Sequence, residues 1–366
     1  MKVTCNTYKL SEICQNVQRI VSSKTTIPAL EGILFEAKDN KITLTGYDLE
    51  TGMTTDMEAS VEQEGKIIIT GRLLCEILKK IPNEKVSIES DERLRCIIKS
   101  GSIEYKIIGL DSADYPELPS VSGGKLLKIK SSVLSDLIRK TIFSVAVSES
   151  KLIHTGLKFE IYDNKITLVG VDGFRIAIKS APIDYDGEKL EFVVPAKTLQ
   201  EIMKISEKSE ETEFNIAKRH IIFEVGNYTV ISRLLEGEFL NYKAALPQNF
   251  STVAKINVQD LINSIERTAL VIIDRLKTSV RCVFNDNSIR ISSTTEIGTA
   301  NDIVNADIEG ERLTIGFNNR LVLDALKSCE TEMIKISLSG PSRPIVIEAL
   351  ENSDFMYLVM PVRLKN

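Results

Sequence analysis

Apolar residues recur every three or four positions in six segments, two in each third of the chain, and this spacing predicts amphipathic helices. The segments start at Leu10, Leu74, Leu134, Leu199, Val258 and Val322. Ser11 in the first segment and Asn257 before the fifth are residue types that cap helix N-termini. Most of the remaining sequence is rich in β-branched residues between turn signals such as Asp39-Asn40, which predicts strands. The pattern therefore predicts an α+β fold, with two helices packed on antiparallel β-sheet in each third.

The chain repeats itself with a period near 120 residues. Residues 39–48 read DNKITLTGYD and residues 163–172 read DNKITLVGVD, so eight of the ten positions are identical. A weaker third copy begins at Asp286, 123 positions after the second. This period is longer than the roughly 20–50 residues of solenoid repeats. We therefore predict three structurally similar domains, which cover residues 1–121, 122–249 and 250–366.

Composition limits the class of protein. The chain has 366 residues, of which 43% are hydrophobic, and a formal net charge of −5. No apolar run approaches the roughly 18 residues that a membrane-spanning helix needs, and the first residues carry no secretory signal. The six cysteines are scattered without a CxxC pair, which is typical of buried thiols in a reducing compartment. We expect a cytoplasmic protein.

The sequence offers no catalytic or metal-binding motif. His154 and His220 are the only histidines, and each is more simply explained as a loop or strand residue, although a Cys–His couple that uses His154 stays open. Asp48 and Asp172 are equivalent in two repeats. They are expected to lie far apart and to serve as turn residues, not as an acid–base pair. We expect no catalytic residue, no metal and no cofactor.

Charge is unevenly distributed along the chain. Across the six predicted helices basic residues outnumber acidic ones by twelve to seven, so the rest of the chain is acidic. Solvated helix faces often carry Lys and Arg for no special reason. A basic helical surface on an acidic body is nevertheless what non-specific contact with phosphates requires.

Three segments carry a resemblance to a known family. TIPAL at 26–30, GVDGFR at 170–175 and YLVMPVRL at 357–364, with the threefold repeat, resemble the β subunit of bacterial DNA polymerase III in order along the whole chain. The resemblance implies a DNA clamp fold and a non-enzymatic sliding clamp: a head-to-tail homodimeric ring of six domains that encircles double-stranded DNA. Basic helices would line the hole and contact phosphates without reading bases. The implied location is the cytoplasm, at the nucleoid.

The resemblance also implies partners and site residues. The partners are the replicative polymerase α subunit, the clamp loader, repair polymerases, and mismatch-repair and ligase proteins. The implied DNA-contacting residues are Lys24, Arg72, Ser148 and Lys151. The dimer interface would join Tyr105 and Ile107 of one subunit to Val271 and Ile272 of the other. A pocket between the second and third domains would bind short peptide motifs and is lined by His154, Thr155, Val171, Gly173, Phe174, Arg175, Ile176, Leu240, Ala245, Pro344, Leu358, Met360, Pro361, Val362 and Arg363.

Four positions depart from familiar members of the family. Ser148 stands where a longer amide can occur, and Val171, Phe174 and Leu240 replace a common threonine, histidine and proline. The Ser148 departure bears on its role in DNA contact, whereas the other three bear on the preferred peptide and not on the existence of the pocket. Two other classes of protein stay open: an enzyme on a repeat scaffold, which a turnover assay would reveal, and a structural or adhesive repeat protein, which would carry an export signal and no basic helical lining.

Overall fold

A computed structural model describes residues 1–22, 25–121, 123–147, 149–272, 279–351 and 355–364. These residues form six α-helices: α1 (Thr7–Gln18), α2 (Gly71–Lys80), α3 (Ser131–Arg139), α4 (Ala196–Ser206), α5 (Val258–Ala269) and α6 (Asn319–Lys327). Short 3-10 helices cover Pro28–Glu31, Ser112–Asp114, Ile142–Ser144, Glu149–Thr155 and Tyr242–Ala245. The helical spacing of apolar residues therefore located all six helices.

Strands make up most of the remainder. They are β1 (Lys2–Asn6), β2 (Gly32–Lys38), β3 (Lys41–Tyr47), β4 (Thr51–Glu58), β5 (Ser60–Gln63), β6 (Gly65–Thr70), β7 (Lys85–Ser90), β8 (Arg95–Ser100), β9 (Ile103–Ile108), β10 (Lys125–Lys130), β11 (Gly156–Tyr162), β12 (Lys165–Val171), β13 (Arg175–Pro182), β14 (Leu190–Pro195), β15 (Glu211–Ile216), β16 (His220–Val225), β17 (Tyr228–Arg233), β18 (Thr252–Asn257), β19 (Ser279–Asn285), β20 (Ser288–Thr295), β21 (Gly298–Asn305), β22 (Asp307–Gly310), β23 (Leu313–Asn318), β24 (Met333–Leu338), β25 (Ile345–Ala349), β26 (Phe355–Val359) and β27 (Pro361–Val362). The prediction of an α+β fold is confirmed.

The chain divides into two compact units, each built from two segments. The first comprises Met1–Ser135 and Lys197–Leu234, and the second comprises Asp136–Ala196 and Leu235–Asn366. The second of the three predicted domains therefore contributes strands to both units.

The first unit contains two antiparallel sheets. One has five strands in the order β5-β1-β7-β8-β9, and the other has eight in the order β10-β15-β16-β17-β4-β3-β2-β6. In the larger sheet β4, from the first repeat, pairs with β17, from the second. Helices α1 and α2 pack against each other, and Phe35, Phe214 and Phe223 are fully buried.

The second unit follows the same plan. Its nine-stranded sheet has the order β14-β11-β12-β13-β26-β25-β24-β18-β22, and its five-stranded sheet the order β21-β20-β19-β23-β27. Here β13, from the second repeat, pairs with β26, from the third. Its largest group of buried apolar residues, called the main core below, includes Ala177, Tyr357 and Val359 of the nine-stranded sheet and Val322 and Leu326 of α6.

The repeated Asp-Asn pairs form the turns that their chemistry predicts. Asp39 and Asn40 have φ angles of 47° and 57°, and Asp163 and Asn164 have φ angles of 51° and 56°. Two consecutive residues with positive φ between antiparallel strands define the tight hairpin turn that favours Asn and Asp. These turns close the β2–β3 and β11–β12 hairpins.

One of the two predicted helix caps is correct. The Asn257 side chain accepts a hydrogen bond from the Asp260 amide at 3.1 Å and caps α5. The prediction of Ser11 as the cap of α1 is wrong, because the helix begins at Thr7 and the Asn6 side chain accepts from the Lys9 amide at 3.0 Å. Strand β1 runs directly into α1, so the helix starts before its first periodic apolar residue.

The described residues also limit other chemistry. None of their helices is long and apolar enough to cross a bilayer, and they contain no group of three or more His, Cys, Asp or Glu that could hold a metal ion. The six cysteines are buried and unpaired. Burial raises the pKa of the Cys5 thiol to about 12, so this side chain is a protonated thiol at neutral pH.

Candidate functional site

A second group of apolar residues lies on the nine-stranded sheet, apart from the main core. It consists of Val169, Val171, Ile176, Tyr242, Val346 and Leu358, with Ile178, Phe239, Leu246 and Met356 packed against it. We call this group the apolar cluster. Side chains alternate between the two faces of a strand, so Ile176 and Leu358 belong to the cluster while their neighbours Ala177, Tyr357 and Val359 belong to the main core.

The floor of the apolar cluster is a row of residues across four strands. Val171 pairs with Ile176, Ile176 pairs with Leu358, and Leu358 pairs with Val346. The row crosses the place where β13 of the second repeat meets β26 of the third. Directly paired residues on one face of a sheet touch each other, so the four side chains form one continuous apolar surface.

The segment from Phe239 to Leu246 covers part of this floor. Its Tyr242 hydroxyl donates a hydrogen bond to the Glu160 carboxylate at 3.0 Å. The same buried carboxylate accepts contacts from the Lys158 ammonium at 2.8 Å and the Lys243 ammonium at 3.2 Å. Glu160 therefore ties the covering segment to strand β11 through a hydroxyl and two cations.

The charge state of Glu160 follows from these partners. Burial alone would raise the pKa of the carboxyl group, but hydrogen bonds and charge from Lys158, Lys243 and Tyr242 outweigh it and hold the pKa below the ordinary value. Burial and the nearby Glu160 carboxylate raise the pKa of Tyr242. At neutral pH the ionised Glu160 carboxylate therefore accepts a hydrogen bond from the protonated Tyr242 hydroxyl, and this hydrogen bond is charge-assisted.

Exposed apolar side chains border the cluster. Phe174 lies two residues before Ile176, just ahead of β13, and Met360 lies two residues after Leu358, just past β26. Their side chains are 65% and 43% exposed, respectively. The Met360 amide donates to the Phe174 carbonyl at 2.8 Å. Leu240, beside Phe239 in the covering segment, is 42% exposed. Exposed apolar side chains around an apolar floor are typical of a surface that binds the hydrophobic residues of a peptide.

Arg175 differs from the other predicted pocket residues. Its side chain is bound by Asp172, through Nε at 2.8 Å, and by Asp324 of α6, through a terminal nitrogen at 2.7 Å. It also lies over the ring of Phe143, 5.4 Å from the ring centre, and Phe143 packs against the main core. The guanidinium therefore lies with the helix-side residues and not in the apolar cluster.

Two further predicted pocket residues, His154 and Thr155, end the Glu149–Thr155 segment. The His154 ring packs edge-on against Phe239, with ring centres 5.4 Å apart. Burial and the charge of Lys151 lower the pKa of His154, which makes it neutral at pH 7. The Thr155 hydroxyl donates to the Leu152 carbonyl at 2.7 Å.

The other members of the predicted set are elements of turns or of the C-terminal strand. Gly173 has a φ of 90° within the turn before β13, and Ala245 ends the 3-10 helix of the covering segment. Pro344 immediately precedes β25. Pro361 and Val362 form β27, which pairs with β23 of the five-stranded sheet, and Arg363 is exposed just after it.

Sequence reasoning missed most of this region, including Phe239, Tyr242 and Val346 of the apolar cluster and Glu160 beside it. Two signals could have found some of them. Tyr242 stands in the Tyr- and Pro-containing stretch that ends each repeat, and Val346 lies in the β-branched run Ile345-Val346-Ile347, which predicts a strand. Glu160 looks like an ordinary strand residue in the sequence. Two of its partners, Tyr242 and Lys243, are more than 80 positions away along the chain, and the third, Lys158, is on the same strand.

The predicted DNA-contacting residues are only partly covered by the structure. Arg72 is exposed in the first turn of α2, and Lys151 is exposed in the Glu149–Thr155 segment. Lys24 and Ser148 lie outside the described residues. Several other helical cations are engaged locally: Arg19 binds Glu201 at 2.5 Å and Lys327 binds Glu266 at 2.7 Å.

The predicted dimer residues lie on an edge strand of the first unit and directly after a helix of the second. Tyr105 and Ile107 are half-buried on β9, the last strand of the first unit's five-stranded sheet. Val271 and Ile272 follow α5 in the second unit and are also half-buried. Ile272 packs against the main core, and the Val271 carbonyl accepts from the Thr295 hydroxyl at 2.9 Å.

Comparison with known proteins accounts for this architecture. Sequence models of the DNA polymerase III beta subunit match the N-terminal domain to residues 1–119, the central domain to 128–241 and the C-terminal domain to 243–363. The three-domain clamp fold defines the class, and the chain belongs to the DNA polymerase III beta subunit family, the bacterial sliding clamps. Members of this family are processivity factors of DNA replication and not enzymes.

Individual relatives agree over the full length. The chain is 33% identical to the beta sliding clamp of Bacillus subtilis strain 168 over 376 aligned positions, which cover 99% of this chain and 100% of the relative. It is 31% identical to the beta sliding clamp of Staphylococcus epidermidis, with 94% of each chain covered. The crystal structure of the Bacillus subtilis DNA polymerase sliding clamp superposes with a TM-score of 0.95 at 32% identity, with both chains covered completely.

Tyr242→Phe should destabilise the protein in a pH-dependent way. The variant loses one partner of the buried Glu160 carboxylate, which should lower the free energy of unfolding by about 1–3 kcal/mol at pH 7. The folded pKa of Glu160 is lowered, so its stabilising contribution is present above the ordinary glutamate pKa and is lost as pH falls through the folded pKa. Thermal unfolding at pH 7 and pH 4 should therefore show a smaller difference between wild type and variant at pH 4.

The matched control is Tyr185→Phe, which removes a tyrosine hydroxyl from an exposed bond to the Glu188 carbonyl. It should leave the unfolding temperature nearly unchanged at both pH values. A Tyr242→Phe difference that stays constant from pH 7 to pH 4 would contradict the role given to the carboxylate.

Proposed function

We propose that two copies of this chain assemble head to tail into a closed ring around duplex DNA. Each copy would supply three similar domains, residues 1–121, 122–249 and 250–366. The observation that carries the proposal is a matched pair of strand edges: within the described residues, β9 and β21 each have a neighbouring strand on one side only. Such an edge presents backbone N–H and C=O groups that another strand can bind.

The internal repeats indicate how these two edges would pair. In the first unit β4 pairs with β17, and Gly52 stands opposite Ile231. In the second unit β13 pairs with β26 in the equivalent register. By its place in the repeat, β21 is the third copy of β4 and β13, and β9 is the third copy of β17 and β26. The same register would set Thr299 of one subunit opposite Lys106 of the other.

The chemistry of the β9 edge supports this pairing. Half-buried Tyr105 and Ile107 alternate on β9 with exposed Lys106 and with Ile108, which is 70% exposed. An apolar side chain this exposed at a sheet edge favours association with a further strand. We place Tyr105 and Ile107 at the interface with Val271 and Ile272 of the partner copy. A head-to-tail contact must close on itself or it forms a filament, and the ring of six domains that the family resemblance implies would need two copies.

DNA contact would come from the helices. We propose Arg72 and Lys151, which are exposed, together with Lys24 and Ser148, as residues near the phosphate backbone. Phosphate contacts carry no sequence information, so a ring that makes only such contacts can slide. Intrinsic affinity should be weak and should fall steeply with salt concentration, because binding releases counterions.

Partner proteins would bind at the apolar cluster. Its floor of Val171, Ile176 and Leu358 and its border of Phe174 and Met360 suit the bulky aliphatic or aromatic residues of a short peptide. We propose that the replicative polymerase α subunit, the clamp loader, repair polymerases, and mismatch-repair and ligase proteins present such peptides. The predicted pocket contains two arginines. Arg175 is bound by two aspartates, so the exposed Arg363 is the one that a ligand would reach. We place the protein in the cytoplasm, at the nucleoid.

Encirclement can be separated from ordinary binding by the topology of the DNA. The protein is loaded by its clamp loader onto nicked circular DNA, and one half of the sample is then cut to linear form. Because a ring is retained by topology and not by affinity, the protein should stay on circles during gel filtration and leave linear molecules through their ends. Equal retention on both forms would contradict the ring, and loss of retention on circles at low salt would contradict it as well.

Met360→Ala should weaken peptide binding without disturbing the fold. The wild type should bind a polymerase-derived peptide that contains glutamine and bulky apolar residues with a Kd on the order of micromolar, about −8 kcal/mol. Removing the exposed Met360 side chain should raise the Kd about tenfold in calorimetry. Truncation of the tail is a poorer test, because β27 pairs with β23 and its loss would expose that strand.

The control for this experiment is Leu126→Ala, which shortens a side chain of similar exposure, 59%, in the first unit. It should leave the Kd unchanged. Wild-type affinity in Met360→Ala, or an equal loss in Leu126→Ala, would show that the peptide binds elsewhere.

A further inference from the structure

We propose that Asp324, on α6, is a positioning residue for the partner-binding surface: it holds Arg175, and through Arg175 the turn that presents Phe174 at the border of the apolar cluster. This inference rests on the proposed peptide site. Asp324 does not touch the cluster itself, since its carboxylate lies on the helix side of the sheet, where it binds the Arg175 guanidinium.

The turn before β13 has a defined backbone. One carboxylate oxygen of Asp172 accepts from the amides of Phe174 at 2.9 Å and Arg175 at 3.0 Å. Gly173 has a φ of 90°, in the region that favours glycine. The Phe174 carbonyl accepts from the Met360 amide at 2.8 Å. The backbone of Phe174 is therefore fixed from two directions, while its side chain projects outward.

Arg175 links this turn to the helix below. Its Nε donates to the second oxygen of Asp172 at 2.8 Å, and a terminal nitrogen donates to Asp324 at 2.7 Å. The side chain is only 10% exposed and lies over the Phe143 ring. A guanidinium with little access to water needs its anionic partners, because leaving it unpaired costs free energy. Loss of Asp324 would therefore allow Arg175, and the Asp172 carboxylate bound to it, to move.

The first unit contains the equivalent turn and shows that the fold does not require this ion pair. There Asp48 accepts from the amides of Glu50 at 3.1 Å and Thr51 at 2.7 Å, and the Glu50 carbonyl accepts from the Arg233 amide at 2.9 Å. The backbone pattern is the same as at Asp172, Phe174 and Met360. The residue in the place of Arg175 is Thr51.

In that copy a chain of hydroxyl groups joins the turn to the helix. The Thr51 hydroxyl is 2.9 Å from the hydroxyl of Thr198 on α4, which is 2.9 Å from the hydroxyl of Ser232. The α4 residue equivalent to Asp324 is Glu201, and it binds Arg19 of α1 instead of the turn. The arginine–aspartate pair thus occurs at the junction whose turn presents an aromatic residue, Phe174, whereas the equivalent residue in the first unit is Glu50.

The test is a double-mutant cycle on peptide affinity. In calorimetry with the polymerase-derived peptide, Asp324→Asn should raise the Kd about threefold to tenfold. In a Phe174→Ala background the same substitution should have less than a twofold effect, because the side chain that the turn presents is gone. Arg175→Lys should behave like Asp324→Asn in both backgrounds, since a lysine cannot bridge two carboxylates with a planar fork.

Two controls separate positioning from general destabilisation. Glu266→Gln, on α5, removes the ion-pair partner of Lys327, which lies on the same helix as Asp324. Thr198→Val breaks the hydroxyl chain at the equivalent junction of the first unit. Both should leave the Kd unchanged, although Thr198→Val should lower the unfolding temperature. An unchanged Kd in Asp324→Asn and Arg175→Lys, or an equal loss with and without Phe174, would overturn the inference. Failure of the wild type to bind the peptide would instead overturn the proposed site.

Discussion

Hydrogen bonding at the edges of β-sheets is the constraint on which the rest of this structure depends. Each repeat ends in strands whose outer edges need a partner, and the chain satisfies them by pairing consecutive repeats. Strand β4 meets β17 in the first unit, and β13 meets β26 in the second. Three repeats in one chain provide two such junctions, and within the described residues β9 and β21, the third copies of the paired strands, end their sheets without a junction of this kind. Because unpaired edges favour pairing with another strand, the proposed assembly would follow the same rule that joins the repeats.

The junction of β13 and β26 does more than connect two repeats. One face of the paired strands contributes Tyr357 and Val359 to the main core, and the other contributes Ile176 and Leu358 to the apolar cluster. A sheet with apolar residues on both faces must be covered on both. Here the second face is covered partly by the segment around Tyr242, which the buried Glu160 carboxylate holds in place. A partner peptide would extend that cover.

Much of the fold could be predicted from the sequence, because its signals are local. Helical spacing located six helices, and repeated Asp-Asn pairs marked the hairpin turns. The family resemblance predicts that Val171, Ile176 and Leu358 line one pocket, and in the structure Ile176 pairs with both of the others. The ion pairs of Arg175 with Asp324 and of Glu160 with Lys243 could not be predicted, since they join residues 149 and 83 positions apart. The prediction of Ser11 as a helix cap was wrong because α1 begins directly after β1, with Asn6 as its cap, before its first periodic apolar residue.

The central claim, that β9 and β21 pair between subunits in the register of the internal junctions, can be tested by cross-linking. Thr299→Cys with Lys106→Cys places two exposed thiols opposite each other, and the six native cysteines are buried. Directly opposed residues in an antiparallel pair lie within the distance that a disulfide spans. Oxidation should give a covalent dimer on a non-reducing gel. Thr299→Cys with Glu104→Cys, shifted two positions along β9, should stay monomeric on that gel. Equal cross-linking of both pairs, or of neither, would contradict the account.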